Sequence, residues 1–194
     1  MSSFIQLALG DAEQALKSFI GNTSNTKFIE QAVSLFVQSL EKGGRILSCG
    51  NGGSMCDSLH FAEELTGRFR KDRRALSAIP MGDPGHITCV ANDFGYQHVF
   101  SRNVEAWGRK GDSLLSISTS GNSENVILAT QTAKKMGMNV VGLLGNDGGK
   151  LKDLVDVPII VDHKITDRIQ EIHIKIIHIM IEGIERQLFP EHYR

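Results

Sequence analysis

Apolar residues repeat at helical spacing through the first forty positions of the chain. One such pattern extends from Phe4 to Ile20, and a second runs from about Asn25 to Lys42. Apolar side chains three or four positions apart share one face of a helix, which then packs against a neighbour. The sequence therefore predicts two amphipathic helices within residues 1–42.

A different pattern follows these helices, in which five short apolar runs alternate with helical segments such as Ser123–Met136. The runs are Arg45–Gly50, Ala78–Pro80, Ser113–Ser118, Asn139–Gly145 and Val157–Val161. Strands that alternate with helices are typical of a parallel sheet covered on both faces. We therefore predict an α/β fold with a doubly wound, five-stranded parallel sheet, whose ligands bind in the loops that follow the strands.

The segment Asp167–Gln187 predicts a long helix that is apolar on nearly all sides. Asp167 and Gln170 have the spacing of a capping box, which places the start of this helix at Asp167. A strand over Ile172–Ile176 is the alternative, but the cap and the length favour the helix. Such a helix is buried on most sides, so it is expected to pack against the sheet, the N-terminal helices or another subunit. We therefore predict a homo-oligomer in which residues 1–42 take part in packing.

Composition and charge exclude several classes of protein. The 194 residues are sufficient for one domain and few for two, so residues 1–194 are expected to form a single domain. The formal net charge of -1 lacks the basic excess that is typical of nucleic-acid binding. The sequence has no run of about 18 apolar residues, the length that spans a membrane. We expect neither nucleic acid nor a membrane among the partners.

The cysteines and the N-terminus favour a cytoplasmic protein. Cys49, Cys56 and Cys89 are odd in number and form no CxxC pair, so the sequence indicates neither a disulfide framework nor a cysteine zinc site. Reduced thiols fit the cytoplasm, and charged residues interrupt any apolar signal-peptide segment.

A glycine-rich loop, Cys49–Ser54, separates the first predicted strand from the following helix. Its glycines let the backbone approach a ligand, and free N–H groups at the helix start favour an anion or sugar hydroxyls; a tight turn is the alternative. In the helix, His60 and Glu64 are four positions apart and share a face, whereas Glu63 points about 100° away. Such a pair can bind a divalent metal or combine a base with a proton shuttle, unless it is only a surface hydrogen bond.

A second polar loop, Ser118–Asn125, follows the third predicted strand. Four hydroxyl groups, a glycine and a helix N-terminus together predict a phosphate-binding site here. The alternative is an N-cap with a polar turn, but a cap uses one hydroxyl group and this loop supplies four.

Three polar residues, Gln170, His173 and His178, lie within or beside the apolar surface of the last predicted helix. Buried polar groups need partners, so each is expected to be hydrogen-bonded or to be a ligand. Gln170 and His178 are about 12 Å apart along a helix axis, which is awkward for one small metal site, whereas His173 would accompany Gln170 more easily.

Five segments, in order and over nearly the whole chain, closely resemble phosphoheptose isomerases, the sedoheptulose-7-phosphate isomerase branch of the sugar-isomerase (SIS) domain family. They are Cys49–Ser54, His60–Arg68, Asn92–Gly95, Ser118–Ser123 and Asp167–Lys175. The resemblance implies a SIS-domain, flavodoxin-like sheet and a homotetramer with active sites at subunit interfaces. It also implies conversion of sedoheptulose 7-phosphate to D-glycero-D-manno-heptose 7-phosphate, through an enediolate, for the lipopolysaccharide core.

The resemblance further implies a role for each residue that matches the family motifs. It assigns a zinc ion (Zn2+) in each subunit to His60, Glu64, Gln170 and His178. The implied catalytic residues are Glu64, as the base at carbon, and His178, as the partner acid or base. The implied substrate contacts are Asn51, Gly52, Gly53, Glu64, Asn92, Asp93 and Gln170 around the sugar, and Ser118, Thr119, Ser120 and Ser123 around the phosphate.

Two alternatives stay open. Some SIS-domain relatives are binding proteins, including a replication-initiator-associating factor, and the tail Leu188–Arg194 resembles that branch. A pure binding module has no need of His60, Glu64 and His178 together, so the enzyme is favoured. An isomerase of another phosphorylated ketose is also compatible, because hydroxyl contacts look alike for sugars of six and seven carbons.

Overall fold

The computed structural model describes residues 2–193, which form helices and strands in the alternation that the hydrophobic pattern predicts. The helices are α1 (Ser2–Gly21), α2 (Thr23–Glu41), α3 (Gly53–Thr66), α4 (Pro84–Phe94), α5 (Val99–Trp107), α6 (Glu124–Lys135) and α7 (Thr166–Leu188). The strands are β1 (Ile46–Cys49), β2 (Ala78–Pro80), β3 (Ser113–Ser118), β4 (Asn139–Gly145) and β5 (Val157–Val161). Short 3₁₀ helices lie at Tyr96–His98, Leu151–Asp153 and Pro190–Tyr193.

The five strands form one parallel sheet in the order β2-β1-β3-β4-β5, as predicted. Leu47 of β1 lies opposite Ile79 of β2 and Leu114 of β3. The chain leaves β1 toward one edge of the sheet and continues from β3 toward the other edge, which makes the sheet doubly wound. In such a sheet ligands bind at the carboxyl ends of the strands where the direction changes, here β1 and β3. The loop after β1 is the glycine-rich loop, and the loop after β3 is the polar segment Ser118–Asn125, called the hydroxyl-rich loop below.

Two hydrophobic clusters, one on each face of the sheet, hold the layers together. On one face, Ile117 of β3 belongs to the same buried cluster as Phe61 of α3 and Ile176 of α7. On the other face, Leu114 of β3 belongs to a cluster with side chains of α4, α5 and α6. Side chains of a strand alternate between its two faces, which explains why β3 contributes side chains to both clusters. Helices α3 and α7 consequently lie on the same face of the sheet and pack against each other.

The start of α7 differs from the prediction. The helix begins at Thr166, and its N-cap position is Ile165, an extended residue whose side chain makes no cap hydrogen bond. Because the chain enters the helix one residue early, Asp167 lies in the first turn and pairs with Arg168 at 3.3 Å, so the predicted capping box is wrong. Its carboxylate still lies near the positive end of the helix dipole. The preference for a helix over a strand at Ile172–Ile176 is confirmed.

The helices and the cysteines bear on two further predictions. Within residues 2–193, no helix combines the length and the apolar character that a membrane span requires. Cys49 is buried, Cys56 and Cys89 are exposed, and all three are free thiols.

Candidate active site

The glycine-rich loop after β1 brings the backbone close to α7. Gly52 has a φ of 54°, in the left-handed region that favours glycine, and its carbonyl accepts hydrogen bonds from the N–H groups of Met55 and Cys56 in the first turn of α3. A Cβ atom at Gly53 would lie 2.5 Å from Nε2 of Gln170. Gly53 therefore leaves room for the Gln170 carboxamide, which lies against this loop.

Three of the four predicted metal ligands, His60, Glu64 and His178, converge where α3 packs against α7. Nε2 of His60 lies 3.3 Å from Oε1 of Glu64 and 3.3 Å from Nε2 of His178. One ligand atom from each residue lies within 4.8 Å of the other two, and all three side chains are half-buried. The spacing of His60 and Glu64 on one helix explains the first contact, and the packing of the two helices supplies the second.

The chemistry of this group fits zinc. Two histidine nitrogens and one carboxylate oxygen, with one side open, form a donor set that is typical of catalytic zinc sites. Partial burial lowers the pKa of His178, and the nearby His60 lowers it further, so the ring is neutral near pH 7 and offers a lone pair. Glu63 reaches Nε2 of His60 only at 3.8 Å and is largely exposed, so Glu64 is the better-placed carboxylate.

The remaining polar residues of α7 occupy different surroundings. Gln170, the fourth predicted ligand, lies beside Gly53, about two helical turns before His178. His173 is fully buried, and its Nε2 donates to the carbonyl of Leu144 in β4 at 3.1 Å. Burial lowers the pKa of His173 to about 4. His173 is therefore a core residue that joins α7 to the sheet, and the alternative in which it accompanies Gln170 at a metal site is not realised.

The hydroxyl-rich loop gathers its side chains at the end of β3. Oγ of Ser118 lies 3.0 Å from Oγ of Ser123 and 3.5 Å from Oγ of Ser120. Ser123 occupies the N-cap position of α6, yet its side chain makes no cap hydrogen bond. The hydroxyl group that a simple cap would use is instead turned toward Ser118, while the N-terminus of α6 offers free backbone donors. Both features suit an anion such as a phosphate group.

The segment after β4 braces the hydroxyl-rich loop. Nδ2 of Asn146 donates to the carbonyl of Thr119 at 2.9 Å, and the N–H group of Leu151 donates to the carbonyl of Gly121 at 3.0 Å. Gly121 has a φ of 64°, and a Cβ atom there would lie 2.0 Å from the carbonyl oxygen of Gly148. Position 121 therefore accepts only glycine without a shift of the backbone.

Two residues to which the sequence analysis assigned no role, Asn125 and Tyr96, connect the two loops through Asn51. Asn51 and Asn125 exchange side-chain amide hydrogen bonds of 2.9 and 2.8 Å, and the hydroxyl group of Tyr96 donates to Oδ1 of Asn51 at 2.9 Å. These side chains line a cavity of about 290 Å³, which Ser123 also borders. The available indication was position: Asn125 is the last residue of the polar segment Ser118–Asn125, and Tyr96 directly follows the segment Asn92–Gly95.

The predicted sugar contacts Asn92 and Asp93 lie on the exposed last turn of α4. Nδ2 of Asn92 donates to Oδ1 of Asp93 at 2.7 Å, and Sγ of Cys89 lies 3.7 Å from Oδ2 of Asp93. Within a single chain these two side chains therefore face the surface.

Comparisons with known proteins relate nearly the whole chain to one family. The family model of the SIS domain matches residues 11–145. A phosphoheptose isomerase from Fusobacterium nucleatum is 54% identical over 180 residues, 93% of each chain, and one from Histophilus somni is 55% identical over 185 residues, 95% of each chain. Among solved structures, a phosphoheptose isomerase from Neisseria gonorrhoeae is similar with a TM-score of 0.89 and 40% identity, covering 95% of this chain and 98% of that one.

Proposed function

The chain belongs to the phosphoheptose isomerases of the SIS domain family, and on this premise we propose that it converts sedoheptulose 7-phosphate to D-glycero-D-manno-heptose 7-phosphate. It is a phosphosugar isomerase, and the names of its relatives favour this enzyme over a binding protein or an isomerase of another ketose. The observation that carries the proposal is the convergence of His60, Glu64 and His178, which supplies a base and a proton exchanger at one point.

Glu64 and His178 divide the proton transfers between them in this proposal. A ketose-to-aldose shift moves a proton from C1 to C2 through an enediolate and exchanges protons at the two oxygens. Glu64 takes the proton from C1 and returns it to C2. His178, whose lowered pKa leaves its ring neutral, exchanges protons with the oxygens at C1 and C2. Both side chains regain their starting state, so one turnover neither consumes nor releases a proton.

The proposed zinc ligands are His60, Glu64, Gln170 and His178. When bound, zinc supplies a Lewis acid that polarises the substrate carbonyl and stabilises negative charge on its oxygen. The chain's contribution is to hold the imidazole rings in place: the ring of Phe69 stacks on that of His178, with centroids 5.9 Å apart.

The phosphate group is proposed to bind in the hydroxyl-rich loop through Ser118, Thr119, Ser120 and Ser123. Hydroxyl donors and the N-terminus of α6 bind an anion without a cationic side chain. The glycine-rich loop, with Asn51, Gly52 and Gly53, contributes donors for the sugar, as Asn92 and Asp93 do in the assembled protein. Binding energy from the distant phosphate then positions the reacting carbons, which raises kcat.

A second copy of the chain is the proposed partner of the N-terminal helices. The most exposed apolar side chains of α1 are 63–73% accessible; they are Phe4, Leu7, Leu9 and Ile20. Ile179 of α7 is 47% exposed on the same side of the molecule, where it lines a cavity together with Ile20. Continuous apolar surface of this kind is typical of subunit interfaces. We propose a cytoplasmic homotetramer in which residues 1–42 pack against neighbouring subunits and complete the active sites.

The test is to incubate the purified chain with sedoheptulose 7-phosphate and follow the formation of the aldose phosphate. Fructose 6-phosphate and unphosphorylated sedoheptulose are the control substrates. We expect turnover of the heptulose phosphate, little turnover of either control, loss of activity with a chelator and recovery with added Zn2+. Preferred turnover of the six-carbon substrate would contradict the assigned sugar, and full activity after metal removal would contradict the zinc ligands.

A further inference from the structure

The segment of residues 67–77 between α3 and β2, called the strap below, runs along one face of α7. Three pairs join the strap to this face: Phe69 with His178, Arg70 with Glu182, and Arg73 with Glu185. The nitrogen–oxygen distances of the two ion pairs are both 2.9 Å. The three α7 partners are spaced by four and then three positions, which places them on one side of the helix. The strap therefore follows α7 from the candidate active site to its C-terminal end.

Arg73 also closes the C-terminal end of α3. Its Nη2 donates to the carbonyl of Glu64 at 2.7 Å, and its Nη1 donates to the carbonyls of Leu65 and Gly67 at 2.8 and 2.9 Å. The last carbonyls of a helix have no partner within the helix, so this guanidinium group acts as a C-cap. Its Nε donates to Oε1 of Glu185 at 2.9 Å. One side chain thus connects the end of α3 to α7.

The Arg73–Glu185 pair is buried, and each nitrogen of the guanidinium group and each oxygen of the carboxylate has a hydrogen-bond partner. Both side chains are 0% exposed. The second carboxylate oxygen of Glu185 accepts a hydrogen bond from the hydroxyl group of Tyr193 at 2.7 Å, so the C-terminal 3₁₀ helix completes the group. Buried, fully bonded ion pairs have little positional freedom, but they are weak evidence for added stability, because apolar replacements are often equally stable.

Helices α3 and α7 run parallel, so their contacts occur in the same order along both helices. Gly53 contacts Gln170, His60 contacts His178, and the end of α3 reaches Glu185 through Arg73. His178 and Glu185 are separated by about 10 Å along the helix axis. The connection at the C-terminal ends therefore lies about two turns from the point where the histidines meet, close enough to control the spacing and the rotation of the two helices there.

We propose that Arg73 and Glu185 are positioning residues for the candidate active site: their ion pair holds α3 against α7 and so sets the separation of Glu64 and His178. This inference rests on the proposed function, because it concerns the same catalytic side chains. Neither residue touches the substrate in this role. Loss of the pair changes metal affinity and kcat while phosphate binding, which belongs to the loop after β3, stays intact.

The test replaces both partners, Arg73→Met together with Glu185→Met, so that no unpaired charge is buried. The matched control is Arg102→Met with Glu105→Met, an ion pair of 3.3 Å on α5 that is half exposed and lies on the other face of the sheet. For each full-length variant, Zn2+ affinity is measured by competition with a chromophoric chelator, together with kcat, KM and the thermal unfolding midpoint.

We expect the Arg73/Glu185 double variant to fold with a Tm lowered by the loss of the hydrogen bonds from Arg73 to the last carbonyls of α3, to bind Zn2+ about 10- to 100-fold more weakly and to lose a similar factor in kcat, with KM nearly unchanged. The Arg102/Glu105 control is expected to retain wild-type values. Wild-type Zn2+ affinity and kcat in the Arg73/Glu185 variant would overturn the proposal. A merely structural pair would lower Tm without this separation of kcat from KM.

Two further comparisons distinguish failure of the positioning role from failure to fold and from a wrong set of zinc ligands. If the double variant does not fold, Tyr193→Phe removes only one hydroxyl group from the pair, and a Zn2+ affinity reduced about two- to fivefold supports the proposal whereas an unchanged affinity and kcat overturn it. If the wild-type chain binds no Zn2+, or His60→Ala binds it equally well, the proposed ligand set fails. The positioning role is then decided by kcat and KM of the same variants.

Discussion

His60 and His178, which are 118 positions apart in the sequence, hold their Nε2 atoms 3.3 Å apart. Two imidazole nitrogens at this distance need a proton or a cation between their lone pairs. Glu64 presents a carboxylate oxygen to the same nitrogen of His60, also at 3.3 Å. Three lone-pair donors therefore converge on one point, which is stabilised by a metal ion or by a proton in transfer. The packing of α3 against α7 creates this point.

Replacement of Glu64 by glutamine is expected to lower kcat by about 100- to 10,000-fold. Glutamine keeps the size of the side chain and one acceptor oxygen, but it cannot take a proton from carbon. KM is expected to change by less than about threefold, because the phosphate group is held by a separate loop. Steady-state kinetics with sedoheptulose 7-phosphate measure both constants.

Glu63→Gln provides the control for this replacement. Glu63 is adjacent in sequence, its side chain is 67% exposed, and its carboxylate lies 3.8 Å from Nε2 of His60. Its removal should leave kcat within about twofold of the wild type, because an exposed charge contributes little to positioning. Equal losses in the two variants would show that general negative charge, and not a base at position 64, matters here.

Hydrophobic periodicity alone was sufficient to predict the sheet, because each strand is a short apolar run and the helices between them have apolar faces. The spacing of His60 and Glu64 also predicts their contact, since residues four positions apart share a helix face. The place of His178 could not be worked out in this way. Its distance from His60 depends on how α7 lies against α3, and only the family resemblance pointed to it.

Other features of the site could not be predicted from the sequence, because they depend on residues that are neighbours only in the folded chain. The amide exchange between Asn51 and Asn125 joins two loops, and nothing in either local sequence specifies it. Tyr96 reaches Asn51 only because the segment after α4 folds over the end of β1. At the start of α7, Asp167 had the residue type of a cap, but the backbone at Ile165 already leads into the helix.

Gly53→Ala tests the contact between the glycine-rich loop and Gln170. The new Cβ atom would lie 2.5 Å from the Gln170 amide nitrogen, and a flexible side-chain end can move away. Since alanine also favours a helix start over glycine, the free energy of unfolding should fall by no more than about 1 kcal/mol. Activity should fall about 10- to 100-fold because the carboxamide is displaced.

Gly53→Ala, Gln170→Ala and the variant that carries both replacements form a double-mutant cycle with the wild type. If the glycine acts by making room for Gln170, the effects on kcat/KM will not add, and the double variant will be about as active as Gln170→Ala. Kinetics of the three variants and urea unfolding supply the data. Fully additive losses would mean that Gly53 serves the site independently of Gln170.

Gly121→Ala should dislodge the hydroxyl-rich loop, and Gly43→Ala is its matched control. Both glycines have positive φ, 64° and 76°, but only at Gly121 would a Cβ atom meet backbone, 2.0 Å from the carbonyl of Gly148. We expect unfolding free energies lower by about 1–2 kcal/mol for Gly43→Ala and by a further 1–3 kcal/mol or so for Gly121→Ala. Only the second variant should show a raised KM. Equal losses of stability and unchanged KM in both would disprove the bracing contact.

Leu9→Asp should disrupt the proposed assembly. Leu9 is 67% exposed in the single chain, and a carboxylate buried at a subunit interface is strongly unfavourable. Size-exclusion chromatography with light scattering should show a tetramer for the wild type and smaller species for Leu9→Asp. Gln131→Asp, an exposed polar position of α6 on the other face of the sheet, should remain tetrameric. A tetramer in both variants would place the interface elsewhere.

The buried His173 makes stability depend on pH. Burial lowers the pKa of His173 to about 4 in the folded chain, against an ordinary value of 6.5. The unfolded chain therefore binds more protons between these two values, so the free energy of unfolding falls as the pH falls through this window. From about pH 7.5 to pH 5, this one group should remove about 2 kcal/mol.

Urea unfolding of the wild type and of His173→Gln at both pH values isolates this contribution. Burial also raises the pKa of Asp57 to about 6, and that group acts in the opposite direction, stabilising the folded chain as the pH falls; it is common to both proteins and cancels in their difference. We expect His173→Gln to lose about 2 kcal/mol less than the wild type over this range. Val104→Ala, a core variant on the other face of the sheet without a titratable group, should follow the wild-type pH dependence. If His173→Gln and Val104→Ala show the same slope, His173 is not buried in its neutral form.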